Sequence, residues 1–156
     1  MRDSIQAQQG GGKLAPLRVL VAGKLYAPEE IAGPVAVVLA GATIRDIWRG
    51  TDAATARRRL TEHLPGATVE VTDLGPWCLA PGYIDLHTHG FCGYDVTTGS
   101  QEDVEAMARE LPRTGVTSFF PTIATTGQAE TVQQVQRVAN AAENQRYPSS
   151  AEILGG

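Results

Sequence analysis

From Leu17 the chain carries short apolar runs closed at each end by Gly or Pro. LRVLVAG (17–23), PVAVVLAG (34–41) and AGATIRDIW (40–48) each predict a strand. In the last run Ile44, Asp46 and Trp48 alternate with Thr43, Arg45 and Ile47, only partly as a clean two-residue period. Over about 52–64 the period lengthens to that of a helix. Ala53, Ala56, Leu60 and Leu64 fall near one face, and Arg57, Arg58 and Arg59 read as a solvated face. TVEVTDL (68–74) predicts a further strand. Residues 17–75 are therefore expected to form a small, mostly antiparallel β unit. Residues 1–16 carry no period and are expected to be a disordered tail.

At Pro76 the pattern changes. CLAPGYIDL is apolar at successive positions, as in a strand covered on both faces. Ser100 is placed to cap a helix over about 101–112, with Asp103 completing a variant of the capping box. Val104, Met107, Ala108 and Leu111 repeat there at helical spacing. GVTSFFPT (115–122) predicts a strand. A second helix is predicted over about 128–146, with Val132, Val135, Val138 or Ala139, and Ala142 on one face. AEILGG opens a third strand. The strand centres, near 84, 118 and 153, are spaced as βαβ units are. The fold class is α/β with parallel strands over 76–156. A closed barrel needs roughly 250 residues, so the chain is expected to be a piece of a longer fold.

Composition narrows the classes. The 156 residues are 42% hydrophobic and 19% charged, with net charge −4, which is a globular balance. No basic stripe offers itself to nucleic acid. No apolar run is long enough to span a membrane. The start MRDSIQAQQGGGKLAP lacks the apolar core of a secretion signal, and its GGGK lacks the rest of a phosphate loop. Cys78 and Cys92 form neither a disulfide framework nor a zinc-pair spacing, which fits a reducing, cytoplasmic setting.

The chemistry concentrates in IDLHTHGFCGYD (84–95), which holds two of the three histidines. Alternation on a strand places Asp85, His87 and His89 on one face. Two imidazoles at the carboxyl end of a parallel strand are able to reach one metal ion, at the end where barrel enzymes gather their catalytic groups. Gly90 and Gly93 allow a tight loop beside them, and Asp85 is placed to orient a ligand by hydrogen bonding. The competing reading makes the histidines capped polar residues at a strand end. His63 reads as a surface residue. Cys92 reads as a small residue packed within the loop, close enough in sequence to approach the site.

LAPGYIDLHTHG resembles the first barrel strand of the metal-dependent amidohydrolase superfamily, whose members carry P-G-x-I-D-x-H-x-H there. Within it, HTHGFCGYDVTTGS, TGVTSFFPTIATT and AEILGG are similar to the H-x-H-G-x-x-G-x-D loop, the G-V-T-x-x-x-P-T strand and the run into H-x-E-G-P of the N-acetylglucosamine-6-phosphate deacetylase family. The resemblance implies the start of a (β/α)8 barrel, about three strands of it, preceded by part of a β-sandwich. It implies His87 and His89 as ligands of a divalent metal (zinc, iron, manganese or cobalt), with Asp85 supporting them. It further implies a small amino-sugar phosphate substrate whose acetamide is hydrolysed by metal-activated water, and it allows a homo-oligomer of the full-length form. The family's metal-ligand Glu, further histidines and catalytic Asp fall beyond residue 156, so the chain alone is expected to be inactive. No catalytic or phosphate-binding residue is identified. Two other readings stand beside this one: an amidohydrolase acting on cyclic amides, which the Gly-Phe-Cys-Gly loop disfavours, and a non-catalytic binding protein.

Overall fold

The computed structural model describes residues 16–63, 69–146 and 149–155. Residues 1–15 of the expected tail, Leu64 at the end of the expected helical face, and Thr68 lie outside the described residues. The chain divides into two compact units, one ending at Pro81 and one beginning at Gly82.

The first unit contains β1 (Leu17–Tyr26), β2 (Glu30–Ala40), β3 (Thr43–Arg49), α1 (Ala53–His63), β4 (Val69–Asp73) and β5 (Cys78–Leu79). They form one sheet in the order β3-β2-β1-β4, with β5 also paired to β1. The unit is mostly antiparallel, as expected, with a parallel part that spacing did not indicate. β1–β2 and β2–β3 are antiparallel, but β4 and β5 run parallel to β1. The reason is α1, which carries the chain from β3 into β4 with the direction of β1.

Val19, Val21, Ala36, Val38 and Trp48 make an apolar face against Ala53, Ala56 and Leu60 of α1. Leu25, Ile31, Val35 and Val37 form a second cluster on the opposite parity of β2. Among the described residues this unit has one sheet and not two. Arg57, Arg58 and Arg59 are exposed, as expected of a solvated face. The imperfect alternation of β3 has a local cause. Its register against β2 shifts between Val38↔Asp46 and Leu39↔Ile44, so Arg45 is an extra residue. Such a bulge swaps the faces on either side of it. Trp48 is accordingly buried and Ile44 exposed, and Asp46 accepts the Trp48 indole N–H at 2.8 Å.

The second unit contains β6 (Tyr83–Thr88), β7 (Gly90–Phe91), β8 (Tyr94–Asp95), α2 (Gln101–Glu110), β9 (Val116–Pro121), α3 (Gln128–Glu143) and β10 (Glu152–Ile153). β6, β9 and β10 form a parallel sheet in that order, and β7–β8 is a separate hairpin. The βαβαβ rhythm read from spacing is therefore present, and the chain is a mixed α/β protein.

CLAPGYIDL is not one covered strand. Cys78–Leu79 joins β1 in the first unit, and Tyr83–Thr88 starts the second. Pro81 has no N–H for a ladder, and Gly82 lies against the Thr117 side chain, where a Cβ would sit 2.1 Å from Cγ2. Among the described residues β6 has one strand neighbour, and Tyr83, Ile84 and Leu86 are exposed instead of covered.

The Ser100 capping box forms as expected. The Asp103 N–H donates to Ser100 Oγ (3.2 Å), and the Ser100 N–H donates to Asp103 Oδ2 (2.7 Å). α2 stops at Glu110 and tightens into a 3₁₀ turn over Leu111–Thr114. Pro112 has no N–H for the Ala108 carbonyl, which accepts instead from Ala151 at 2.8 Å. Val104, Met107, Ala108 and Leu111 join Phe119, Val138, Ala141 and Ile153 in the core. The expected face of α3 is corrected in part. Val138 is buried and Ala142 packs against the core as expected, but Gln134 and Ala141 point inward while Val132 and Val135 are exposed. Gln134 tolerates burial because its amide oxygen accepts from the Thr126 hydroxyl at 3.3 Å.

Candidate metal-binding site

β6 ends at Thr88, and the chain turns at once into the β7–β8 hairpin. His87 is the penultimate strand residue and His89 follows the strand, so both imidazoles stand at its carboxyl end, exposed. Their rings meet edge to face, with centroids 4.8 Å apart and planes at 87°. That contact is a stable packing for two rings in its own right. It also suits a shared ion. A nitrogen ligand sits about 2.0–2.1 Å from zinc, which puts each ring centre roughly 3 Å away and two adjacent ligands' centres about 4.5–5 Å apart. The observed centroid spacing falls in that range, and imidazoles are donors that a borderline metal takes. Among the described residues, no group of three or more His, Cys, Asp or Glu side chains is arranged around an ion.

The residues around the pair act on its backbone. The Asp85 carboxylate accepts the His87 N–H at 3.1 Å. Among the described residues it makes no hydrogen bond to either imidazole. On the β9 side, Thr122 brackets the residue between the histidines. Its Oγ1 accepts the Thr88 N–H (3.2 Å), and its own N–H donates to the Thr88 carbonyl (2.8 Å). On the hairpin side, the Val96 N–H donates to the His89 carbonyl at 2.8 Å, and Val96 is itself buried in the core.

Asp95 begins the turn that follows. Its Oδ1 accepts the Thr98 N–H (2.6 Å) and hydroxyl (2.9 Å), and its carbonyl accepts the Gly99 N–H (3.0 Å). The Thr98 amide, then the Thr98 hydroxyl, hold the Asp95 carboxyl below the usual range, and the nearby His89 adds a smaller push in the same direction. The Thr97 carbonyl accepts from Arg137 Nη2 of α3 at 2.8 Å, and Thr97 Oγ1 accepts the Ala124 N–H at 2.9 Å.

The hairpin is tight. Cys92 (φ 52°) and Gly93 (φ 86°) occupy its two turn positions, and a Cβ on Gly90 would come 2.3 Å from the Tyr94 carbonyl oxygen. Cys92 is exposed at the hairpin tip, so the expectation that it packs within the loop is corrected. A two-residue turn directs its first side chain away from the strands. His63 is exposed, with Nδ1 2.9 Å from the Arg59 carbonyl. Thr122, Asp95, Thr97 and Arg137 were not singled out as site residues by sequence reasoning. Asp95 stands in the quoted motif. Thr122 lies 34 residues from Thr88 and is marked only by its place after a strand.

The sequence profile of the amidohydrolase family matches residues 78–156. An N-acetylgalactosamine-6-phosphate deacetylase of Escherichia coli O157:H7 is 33% identical over 87 residues, covering 56% of this chain and 22% of that protein. An N-acetylglucosamine-6-phosphate deacetylase of Vibrio furnissii is 37% identical over 82 residues, covering 53% and 20%. The crystal structure of N-acetylglucosamine-6-phosphate deacetylase from Pasteurella multocida superposes with a TM-score of 0.67 at 23% identity, covering 86% of this chain and 32% of that one. The matches thus span about a fifth of the length of these two curated relatives.

Proposed function

The chain belongs to the amidohydrolase family, and from that premise we propose that it is the amino-terminal part of a metal-dependent N-acetylglucosamine-6-phosphate deacetylase. The observation that carries this reading is the adjacent His87 and His89 rings at the carboxyl end of the first parallel strand. Residues 76–156 would be the opening strands of a (β/α)8 barrel, whose catalytic groups gather at that end. Residues 17–75 would contribute to a β-sandwich, a role supported by the apolar residues on both faces of the sheet. Location in the cytoplasm and a homo-oligomeric full-length form belong to the same proposal.

His87 and His89 would hold a divalent ion, zinc, iron, manganese or cobalt. The chemistry such an ion supplies is activation of water at neutral pH and polarisation of the acetamide carbonyl. The chain's own residues prepare the place for it. Asp85 holds the His87 backbone, and Gly90 lets the hairpin fold back beside the pair. A catalytic zinc site uses three protein ligands, and two are identified here. The 156-residue chain by itself is therefore expected to release no acetate from N-acetylglucosamine 6-phosphate, even with added Zn²⁺. The full-length protein is expected to do so, and to lose the activity on His87→Ala or His89→Ala. Turnover by the 156-residue chain, or full activity of either histidine variant, would overturn the proposal. The E. coli relative is named for the galactosamine epimer, so both hexosamine 6-phosphates belong in the assay.

A further inference from the structure

Thr88 lies between the two histidines, and the structure binds both it and His89 through the backbone. We infer that Thr122 and Asp95 are positioning residues that set the mutual orientation of the His87 and His89 rings. This rests on the metal-site reading above and deepens it.

Thr122 works from the β9 side. Its hydroxyl oxygen accepts the Thr88 N–H, and its N–H serves the Thr88 carbonyl, so both backbone groups of Thr88 are held by one residue. The same hydroxyl donates to the Phe120 carbonyl at 3.2 Å, which fixes its rotamer. Hydroxyl and backbone together leave the peptides on either side of Thr88 little rotation, and those peptides aim the two imidazoles.

Asp95 works from the hairpin side. β8 pairs with β7 in the register Gly90↔Asp95, directly after His89. The Asp95 carboxylate closes the 95–98 turn through Thr98, and the next residue, Val96, is the one that donates to the His89 carbonyl. The turn is fastened a second time through Thr97, to Arg137 and Ala124. Neither Thr122 nor Asp95 has a recorded hydrogen bond to an imidazole nitrogen. Their influence passes through backbone groups of residues 88 and 89, the sort of outer support whose loss weakens metal sites about 10–100-fold.

The test uses the full chain with Zn²⁺ alone as the probe, titrated by calorimetry, and NMR contacts between the His87 and His89 rings without metal. Thr122→Val keeps the shape and removes the hydroxyl, whereas Thr122→Ser keeps the hydroxyl. Asp95→Ala removes the turn's acceptor, whereas Asp95→Asn keeps one. Thr122→Val and Asp95→Ala are expected to weaken Zn²⁺ binding at least about tenfold and to lose the ring–ring contact. The Ser and Asn variants are expected to restore both. A role in general stability alone would lower the melting temperature of Thr122→Val and Asp95→Ala and leave affinity and ring contact untouched. Zn²⁺ affinity and ring contact unchanged in Thr122→Val and Asp95→Ala overturn the inference. Zn²⁺ binding that survives His87→Ala with His89→Ala defeats the metal reading instead, and the metal-free ring contact then decides the positioning roles alone.

Discussion

Among the described residues, Cys92 is the one non-glycine with positive φ, 52°. It sits at the first turn position of β7–β8, and Gly93 at the second has φ 86°. A two-residue hairpin with both turn positions left-handed favours Asn-Gly, because Asn tolerates that region and most other side chains are strained in it. The thiol is exposed, so little packing is lost by replacing it. Cys92→Asn is expected to stabilise the chain by about 0.5–1 kcal/mol, read as a higher urea midpoint at unchanged slope. A lower midpoint would show that the thiol makes contacts which offset the strain. At this scale the histidine pair was legible, because two imidazoles one residue apart need no knowledge of the fold. The clamp around them was not. Thr122 acts on Thr88 across 34 residues, a relation created by strand register and invisible to local spacing.

Elements were legible where their signals are local. Ser100 and Asp103 spell out a capping box, and the box forms. Ser100→Ala is expected to cost about 1 kcal/mol, measured by chemical unfolding, with the loss of protection concentrated in the amides of α2. The other helix of interest is α1, whose cap was not named in advance. Asp52 accepts the Thr55 N–H at 2.7 Å, and that bond holds its carboxyl below the usual range. A carboxyl depressed in the folded state stabilises fully above its unfolded value, about 3.9, and its contribution disappears as pH falls through the folded value. The gap in melting temperature between wild type and Asp52→Asn should therefore narrow as pH falls from about 5 to about 3. A constant gap would remove the charge on Asp52 from the account of α1. The inner face of α3 was read correctly at Val138 and Ala142 and missed at its start, for a reason that spacing cannot reveal. Apolar Val132 and Val135 compete with Gln134 for the inward position, and Gln134 can take it because Thr126 satisfies its amide.

At the scale of the whole molecule, spacing was enough for the parallel βαβαβ order, since crossovers of that length leave few alternatives. It did not reveal which faces would be covered. Ile84 and Leu86 read as residues of a doubly covered strand, yet they are 58% and 71% exposed, beside Tyr83 at 70%. β6 pairs only with β9 among the described residues, so its other edge has no strand partner there and lies next to apolar side chains. Such an edge is a template for association. The chain is therefore expected to self-associate with rising concentration in sedimentation velocity. Leu86→Lys should shift it toward the monomer, because a lysine on an edge strand blocks edge-to-edge pairing. The same substitution should leave the melting temperature nearly unchanged, since a residue already exposed buries little area on folding. Equal association of wild type and variant would move the adhesive surface elsewhere, and Val132 and Val135 on α3, at 64% and 49% exposure, would be the next residues to charge.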